Sequence, residues 1–492
     1  MGESLRRKVV NGVFWRLVTR LSTQGVTFVV GILLARMLGP EAYGTIALLA
    51  IFISLAEEVA NAGFGAALVQ RKSVTDIDYN SAFYLQMSLA LLVYAVLYFL
   101  APRIAAFYDN DQLVAILRVQ ALILPIHAVR GVQSAILSRE LKFYLSFRIG
   151  LAEVICSGVV GLMMAYSGYG VWALVCSALA GGFAGMVSTV IWIRWVPKLM
   201  FSFAAVREMF SYGWKLLASS LVDNFFGNLY GLVIGKFYTV TDLALYNRGR
   251  QFPNLAMDTI NSSLSVVAFP ALAKVQGDPA RLRDGMRKMI QVSTFFVMPM
   301  LAGMSAVSEP FIQVVLGDQW LGAAPYLAIA CVSFAFYPFH TINLQAIKAI
   351  GRSDYYLKLS IIKDILSVVV LFVSCRYSVI MMALAGAFVS TPASLVINSW
   401  PNRKLLNYGI LSQLSDVIPT LLLSLLMAAI AWSVKFTLVL SPICLLCTQI
   451  IVGVVSFYAL ILVFRPKGLY LVCEGLPMCK RFFPKFVFEG VC

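Results

Sequence analysis

Long apolar runs alternate with short polar connections along the whole chain. Fourteen hydrophobic segments are centred near residues 26, 55, 90, 124, 157, 183, 224, 257, 297, 335, 366, 389, 425 and 450. Several reach or exceed the roughly 20 residues that a helix needs to cross a bilayer. In hydrocarbon the backbone must satisfy its own hydrogen bonds, which a helix does locally. The pattern therefore predicts an all-α polytopic membrane protein of about 14 transmembrane helices.

Polar residues inside these segments fall into stripes. Segment 8 reads YNRGRQFPNLAMDTINSSLSVVAFPALAKVQ, and its Asn247, Gln251, Asn254, Asp258 and Asn261 recur every three or four residues, one face of a helix. Arg248 and Arg250 flank that stripe near its outer end. Segment 1 carries Arg16, Arg20, Gln24 and Thr27 at the same spacing, and segment 7 carries Lys215, Ser219, Asp223 and Gly227 with Asn224 and Asn228 beside them. Segment 2 holds Glu57, Glu58 and Asn61; segment 4 holds Gln120, His127, Arg130 and Gln133; segment 10 holds His340, Asn343, Gln345 and Lys348.

An ionised side chain at the bilayer centre costs a few kcal/mol or more, so it faces a partner or a watery cavity. Simpler readings exist for single residues. Arg16 and Lys215 can snorkel from helix ends, membrane Asn and Ser often bond helix to helix, and Glu153 and Asp364 can pair with nearby Arg148 and Lys363. Five polar residues on one face of segment 8, matched by stripes on segments 1, 2 and 7, point instead to a hydrated cavity lined by those four. Segments 13 and 14 hold little that is polar beyond Ser, Thr and Gln449, and are expected outside it, against lipid. Pro125, Pro253, Pro270, Pro299 and Pro338 each remove a helix hydrogen bond and permit bending.

The chain also repeats itself. Trp15 aligns with Trp214, Arg16 with Lys215 and Gln24 with Asp223, and one inserted residue later Arg36 aligns with Lys236 and Gly44 with Ala244. The second segments of both copies end alike, in AALVQRK and ALAKVQ. The offset spans six segments, an even number, so the copies are parallel, related by an axis along the membrane normal. The expected organisation is a six-helix lobe over 1–200, a second over 201–405, two accessory helices over 406–466 and a basic cytoplasmic tail over 467–492.

Composition agrees with a membrane protein. Of 492 residues 60% are hydrophobic and 13% charged, against about 25% charged in soluble proteins; mean hydropathy is +0.84. The net charge of +16 could suggest nucleic acid, but its placement argues otherwise. Twenty-six Lys and Arg fall in the tails and even-numbered loops, while the odd-numbered loops hold only Arg36, Arg103, Lys236, Arg376 and Lys435. That imbalance follows the positive-inside rule, puts both termini in the cytoplasm and turns the basic charge toward anionic headgroups. The start, MGESLRRKVVNGVFW, lacks the cleavage site of a signal peptide, and Arg6 departs from the myristoylation pattern. The nine cysteines follow no paired spacing: Cys156, Cys176, Cys331, Cys444 and Cys447 read as small residues of apolar helices, and Cys473, Cys479 and Cys492 of the tail are expected as reduced thiols; two histidines in no ligand pattern predict no metal and no cofactor.

No catalytic constellation is present: there is no Walker A sequence, no GxSxG, no HExxH and no Asp-rich loop motif. All loops are short. Such a chain moves something rather than transforming it, so it is not expected to be an enzyme.

The start KVVNGVFWRLVTRLSTQGVTFVVGILLARMLGPEAYG and the stretch from Ala244 to Ile290 resemble bacterial polysaccharide-export flippases. So do QSAILSRELKF (Gln133 to Phe143) and VLGDQWLGAAP (Val315 to Pro325). The resemblance is to the colanic acid/teichuronic acid exporter-like branch of the multidrug/oligosaccharidyl-lipid/polysaccharide superfamily. It covers residues 5 to about 465 and leaves the tail from Leu469 unmatched. It implies two six-helix lobes in a V around a central cavity, and flipping of polyprenyl-pyrophosphate-linked oligosaccharide repeat units to the outer leaflet of the bacterial inner membrane by alternating access, for surface polysaccharide synthesis. Arg and Lys would hold the pyrophosphate through charge-assisted hydrogen bonds, Arg248 and Arg250 would receive it at the outer mouth, and the Asn, Gln and Asp stripe would meet sugar hydroxyls. Asp258 would pair with a cavity arginine or carry a coupling proton. Membrane lipids are further partners, with a polysaccharide polymerase and glycosyltransferases as candidates and no nucleic acid. Two alternatives stay open: an ion-coupled multidrug antiporter of the same superfamily, and a non-transporting membrane partner of a polysaccharide polymerase.

Overall fold

The structure, a computed structural model, describes residues 3–437 and 439–475. Its long helices are α1 (Glu3–Met37), α2 (Pro40–Gln70), α3 (Asp76–Tyr108), α4 (Gln112–Arg139), α5 (Phe143–Tyr166), α6 (Val171–Ile193) and α7 (Phe203–Phe237). They continue with α8 (Val240–Ala273), α9 (Pro279–Ala306), α10 (Asp318–Ala349), α11 (Ser353–Ser374), α12 (Val379–Leu406), α13 (Ile410–Thr437) and α14 (Pro442–Phe464). Short helices at Ser308–Leu316 and Lys467–Gly475 complete the set, and no strand occurs among the described residues. Eleven of the long helices are apolar and extended enough to cross a membrane, which makes this a multi-pass membrane protein. The exceptions are α1, whose apolar part is Ser22–Met37, α7, and α11, which carries Lys358, Lys363 and Asp364 along its centre.

Local chemistry sets the helix ends. Asp278 caps α9 by accepting from the Ala280 and Arg281 amides at 3.0 and 3.1 Å, with Pro279 at the first helical position. Thr75 and Asp78 close a reciprocal capping box at the start of α3. Breaks inside helices have two origins. The prolines Pro125 and Pro338 follow interruptions in α4 and α10, as their missing N–H predicts. The break in α2 needs no proline: Ala62 and Gly63 both take positive φ, 43° and 71°. There the helix ends and restarts within two residues.

Helix boundaries repeat with the sequence. The helices α1 and α7 are both 35 residues long, ending at Met37 and Phe237, and the helices that follow begin at Pro40 and Val240.

The chain divides between Ala244 and Leu245 into two compact units. In the first, small residues let helices approach closely, as membrane packing requires. A Cβ at Gly158 of α5 would stand 2.8 Å from Val30 of α1, and Ser157 of α5 bonds Ser177 of α6 at 2.8 Å. Although α7 opens the second sequence copy, it packs on α2 and α3 of this first unit. In the second unit α9 is central, touching α10, α13 and the helix Lys467–Gly475. That short helix buries Leu469, Val472 and Cys473 against Phe295 and Ile461. The rest of the expected basic tail, including Lys480, Arg481 and Lys485, lies outside the described residues.

Candidate functional site

Helix α7 carries two polar faces with different fates. Lys215, Ser219, Asp223 and Gly227 form an open face, all exposed. Asn224, a third of a turn away, turns toward α2: its Oδ1 accepts from Ser54 at 3.0 Å and from Asn228 of its own helix at 2.6 Å. The α2–α7 contact continues down to the break in α2, where a Cβ on Gly63 would lie 2.7 Å from the Gly213 carbonyl oxygen. Past it, Arg71 pairs with Asp78 at 2.7 Å and with Glu208 of α7. The α2 end is held by Arg139 of α4, which donates to the Leu68 and Arg71 carbonyls at 2.6 Å each. Orphan carbonyls at a helix C-terminus favour such a cation.

Between α2, α4, α5 and α6 sits a group of charges near the middle of these helices. His127 Nδ1 lies 3.0 Å from Glu57 Oε1, and Arg130 pairs with Glu153 at 2.8 Å. Gly185 of α6 makes room for the second pair, since a Cβ there would meet Arg130 Nη1 at 2.6 Å and Glu153 Oε2 at 2.8 Å. The pairing expected between Glu153 and Arg148 is thereby corrected. Arg148 instead lies over the Trp192 ring at 4.7 Å, because α4 brings a guanidinium across to Glu153 that sequence proximity does not reveal. Gln24 and Glu58 are half-buried and Asn61 is exposed. The side chains of Arg16 and Arg20 lie outside the described residues.

In the second unit, α8 presents its stripe on one side. Asn247, Gln251, Asn254 and Asp258 are exposed, while Tyr246, Gly249, Phe252 and Met257 are buried. Asn254 donates to Asp258 at 3.3 Å, and Asn261 accepts from Thr341 of α10, which joins the lower end of the stripe to a neighbour. The arginines are placed differently from the stripe. Arg248 is buried, with its guanidinium 5.3 Å from the Trp320 ring and donating to Gln251. Arg250 is half-buried, donating to the Tyr246 hydroxyl at 2.9 Å and lying over Phe334 at 5.6 Å. Between them Gly249 rests on the Ala323–Leu327 backbone. The RGR run of α8 and the WLGAAP run of α10 thus form one clasp, whose arginines are held by aromatic faces.

Sequence reasoning missed a third polar group. Asn343 and Gln413 exchange amide hydrogen bonds at 2.8 and 2.9 Å, and Asn402 donates to Asn343 at 2.7 Å, all three buried. Arg287 of α9 pairs with the buried Asp416, which also accepts from Tyr408 at 2.9 Å. So α13 is not free of polar residues as expected: Gln413 and Asp416 tie its first two turns to α9, α10 and α12. Their spacing of three was the available signal, but it lies at the edge of the apolar run.

A family model described as polysaccharide biosynthesis protein matches residues 33–325, more than half of the chain. The chain belongs to this polysaccharide biosynthesis family. The exporter resemblance read from the sequence is thereby borne out. It is 25% identical to the teichuronic acid biosynthesis protein TuaB of Bacillus subtilis, over 71% of this chain and 73% of that protein. It is 22% identical to the succinoglycan biosynthesis transport protein ExoT of Rhizobium meliloti, over 70% of each. Among solved structures, the lipid II flippase MurJ in an inward closed conformation superposes with a TM-score of 0.71 at 15% identity, over 92% of this chain and 98% of that one. The two chains share a fold.

Proposed function

We propose that this protein carries anionic, lipid-linked oligosaccharide units from the cytoplasmic to the outer leaflet of a bacterial inner membrane, with both of its own termini in the cytoplasm. The observation that carries this reading is the open face of α8. Four amide and carboxylate side chains stand in line there, exposed, on a helix whose opposite face is buried. Their carbonyls, N–H groups and carboxylate offer exchangeable partners to a hydroxyl-rich glycan. The open face of α7 offers Lys215 and Asp223 in the same way. Family membership and a relative described as a transport protein support export over synthesis. Arg16 and Arg20 are proposed to engage the pyrophosphate from the cytoplasmic side through charge-assisted hydrogen bonds.

Export of surface polysaccharide by the strain that carries the gene tests this, with Asp258→Asn, Asn254→Ala and Arg20→Ala introduced singly. Losing a hydrogen bond to a charged group, worth ~1.5–3 kcal/mol, should lower export about tenfold or more for Asp258→Asn and Arg20→Ala. Membrane abundance should stay at the wild-type level. Wild-type export from all three would reduce both stripes to helix packing.

A further inference from the structure

The two charge pairs of the first unit are chemically unequal. Arg130 carries its charge at every accessible pH, so the Glu153 carboxylate is always matched. Glu57 faces an imidazole, and its charge is matched only while His127 holds a second proton. Histidine is the side chain that changes charge between about pH 5 and 8. The pair lies near the middle of α2 and α4, where an unmatched carboxylate is costly.

Among the neighbours, α7 packs on α2 and carries Lys215 and Asp223, both on its exposed face rather than the face that meets α2. On α4 itself the adjacent charge is Arg130, already engaged by Glu153 of α5. On α2 the neighbour is Glu58, of the same sign as Glu57. Helix α6 has no charged residue between Val171 and Ile193 and lays Gly182 beside the imidazole, a Cβ there reaching 3.6 Å from Nε2. Helix α3 meets α4 through Gln86 at Gly131, and its charges Asp76, Asp78 and Arg103 lie toward its ends. Helix α1 packs on α5 and carries Arg16 and Arg20 before its apolar part, Ser22–Met37.

The spacing is also selective. At 3.0 Å the Nδ1···Oε1 gap holds a shared proton and nothing larger. Both side chains are about a third exposed, 37% and 34%, whereas the Arg130 side chain is 19% exposed.

We propose that His127 and Glu57 form the site at which this transporter binds the proton that drives its cycle. Uptake from water forms one N–H bond on the ring nitrogen that was bare, and the positive charge of the imidazolium then cancels that of the Glu57 carboxylate. Release returns the same proton to water, with no other bond changed. Because Ser54, one turn before Glu57 on α2, donates to Asn224 of α7, neutralising Glu57 would bias the α2–α7 contact. The proposal rests on the export reading only for what the proton drives.

Hydrogen exchange of the full chain in nanodiscs, at two pH values near 5.5 and 8 and corrected for intrinsic rates, tests the site without any glycan. The wild type should show pH-dependent protection in α2 and α7 peptides. H127Q and E57Q should each lose that dependence. H340Q should keep it, since the other histidine bonds Asn398 at 2.8 Å. If one variant fails to fold, the other carries the test. Wild-type pH dependence in either folded variant, or none in the wild type, overturns the site. In cells, H127Q should lower surface polysaccharide at least tenfold with protein abundance unchanged; full export by a variant that has lost the pH response would overturn coupling. A pH response that vanishes in both variants, beside a wild type that exports no glycan, would uphold the proton site and sink the export reading instead.

Discussion

Glycine 249 shows how a single missing Cβ shapes the clasp between α8 and α10. A Cβ there would stand 2.6 Å from Tyr326 Cβ, 2.7 Å from the Ala323 carbonyl oxygen and 2.8 Å from the Leu327 nitrogen, and two of these are backbone atoms that cannot swing aside. Overpacking of this kind costs roughly 1–3 kcal/mol. Gly249→Ala should lower the melting temperature in detergent, while Gly277→Ala, with nothing within 4 Å, should leave it unchanged. The same position shows why the RGR run reads as an anion site in sequence and as a clasp in the fold. Charge type is visible in a chain; the aromatic faces of Trp320 and Phe334, some 70 or more residues away, are not.

Among the elements, α13 is held by buried amides rather than by apolar surface alone. Replacing Gln413 by Leu would remove two hydrogen bonds of the Asn343 amide and leave one of its N–H groups without an acceptor, while the other still reaches the Phe339 carbonyl. A buried unsatisfied group costs about 1–3 kcal/mol. Gln413→Leu should therefore melt earlier than Gln449→Leu, because neither amide atom of Gln449 has a hydrogen-bond partner among the described residues. Side-by-side thermal unfolding of the two variants decides it. The α8 stripe was legible as a face because its spacing matches the helix, and the structure exposes four of its five residues. The Asn343–Gln413–Asn402 group was not, since its members come from three helices.

For the molecule as a whole, charge placement sets orientation. The basic residues gather on alternate connections, which favours their retention in the cytoplasm. A fluorescent protein fused after Cys492 should fluoresce, and a phosphatase inserted after Arg376, between α11 and α12, should be active only outside. The reverse pattern would invert the proposed topology. The duplicated helix boundaries, Met37 with Phe237 and Pro40 with Val240, belong to this scale too. They accord with the parallel duplication expected from the sequence, which a hydropathy profile alone would present as unrelated helices.

What the sequence by itself determined was everything encoded along one helix: the membrane class, the positions of the long segments, and which polar residues share a face. Periodicity and composition act over a few turns, so they survive without knowledge of neighbours. Tertiary structure alone decided which neighbour each face meets. It paired Glu153 with Arg130 rather than Arg148, buried Arg248 against Trp320, set α7 on α2, and placed His127 against Glu57 across 70 residues of chain. Each of these is a contact between distant segments, and in a membrane it turns on where a glycine lets two helices come close.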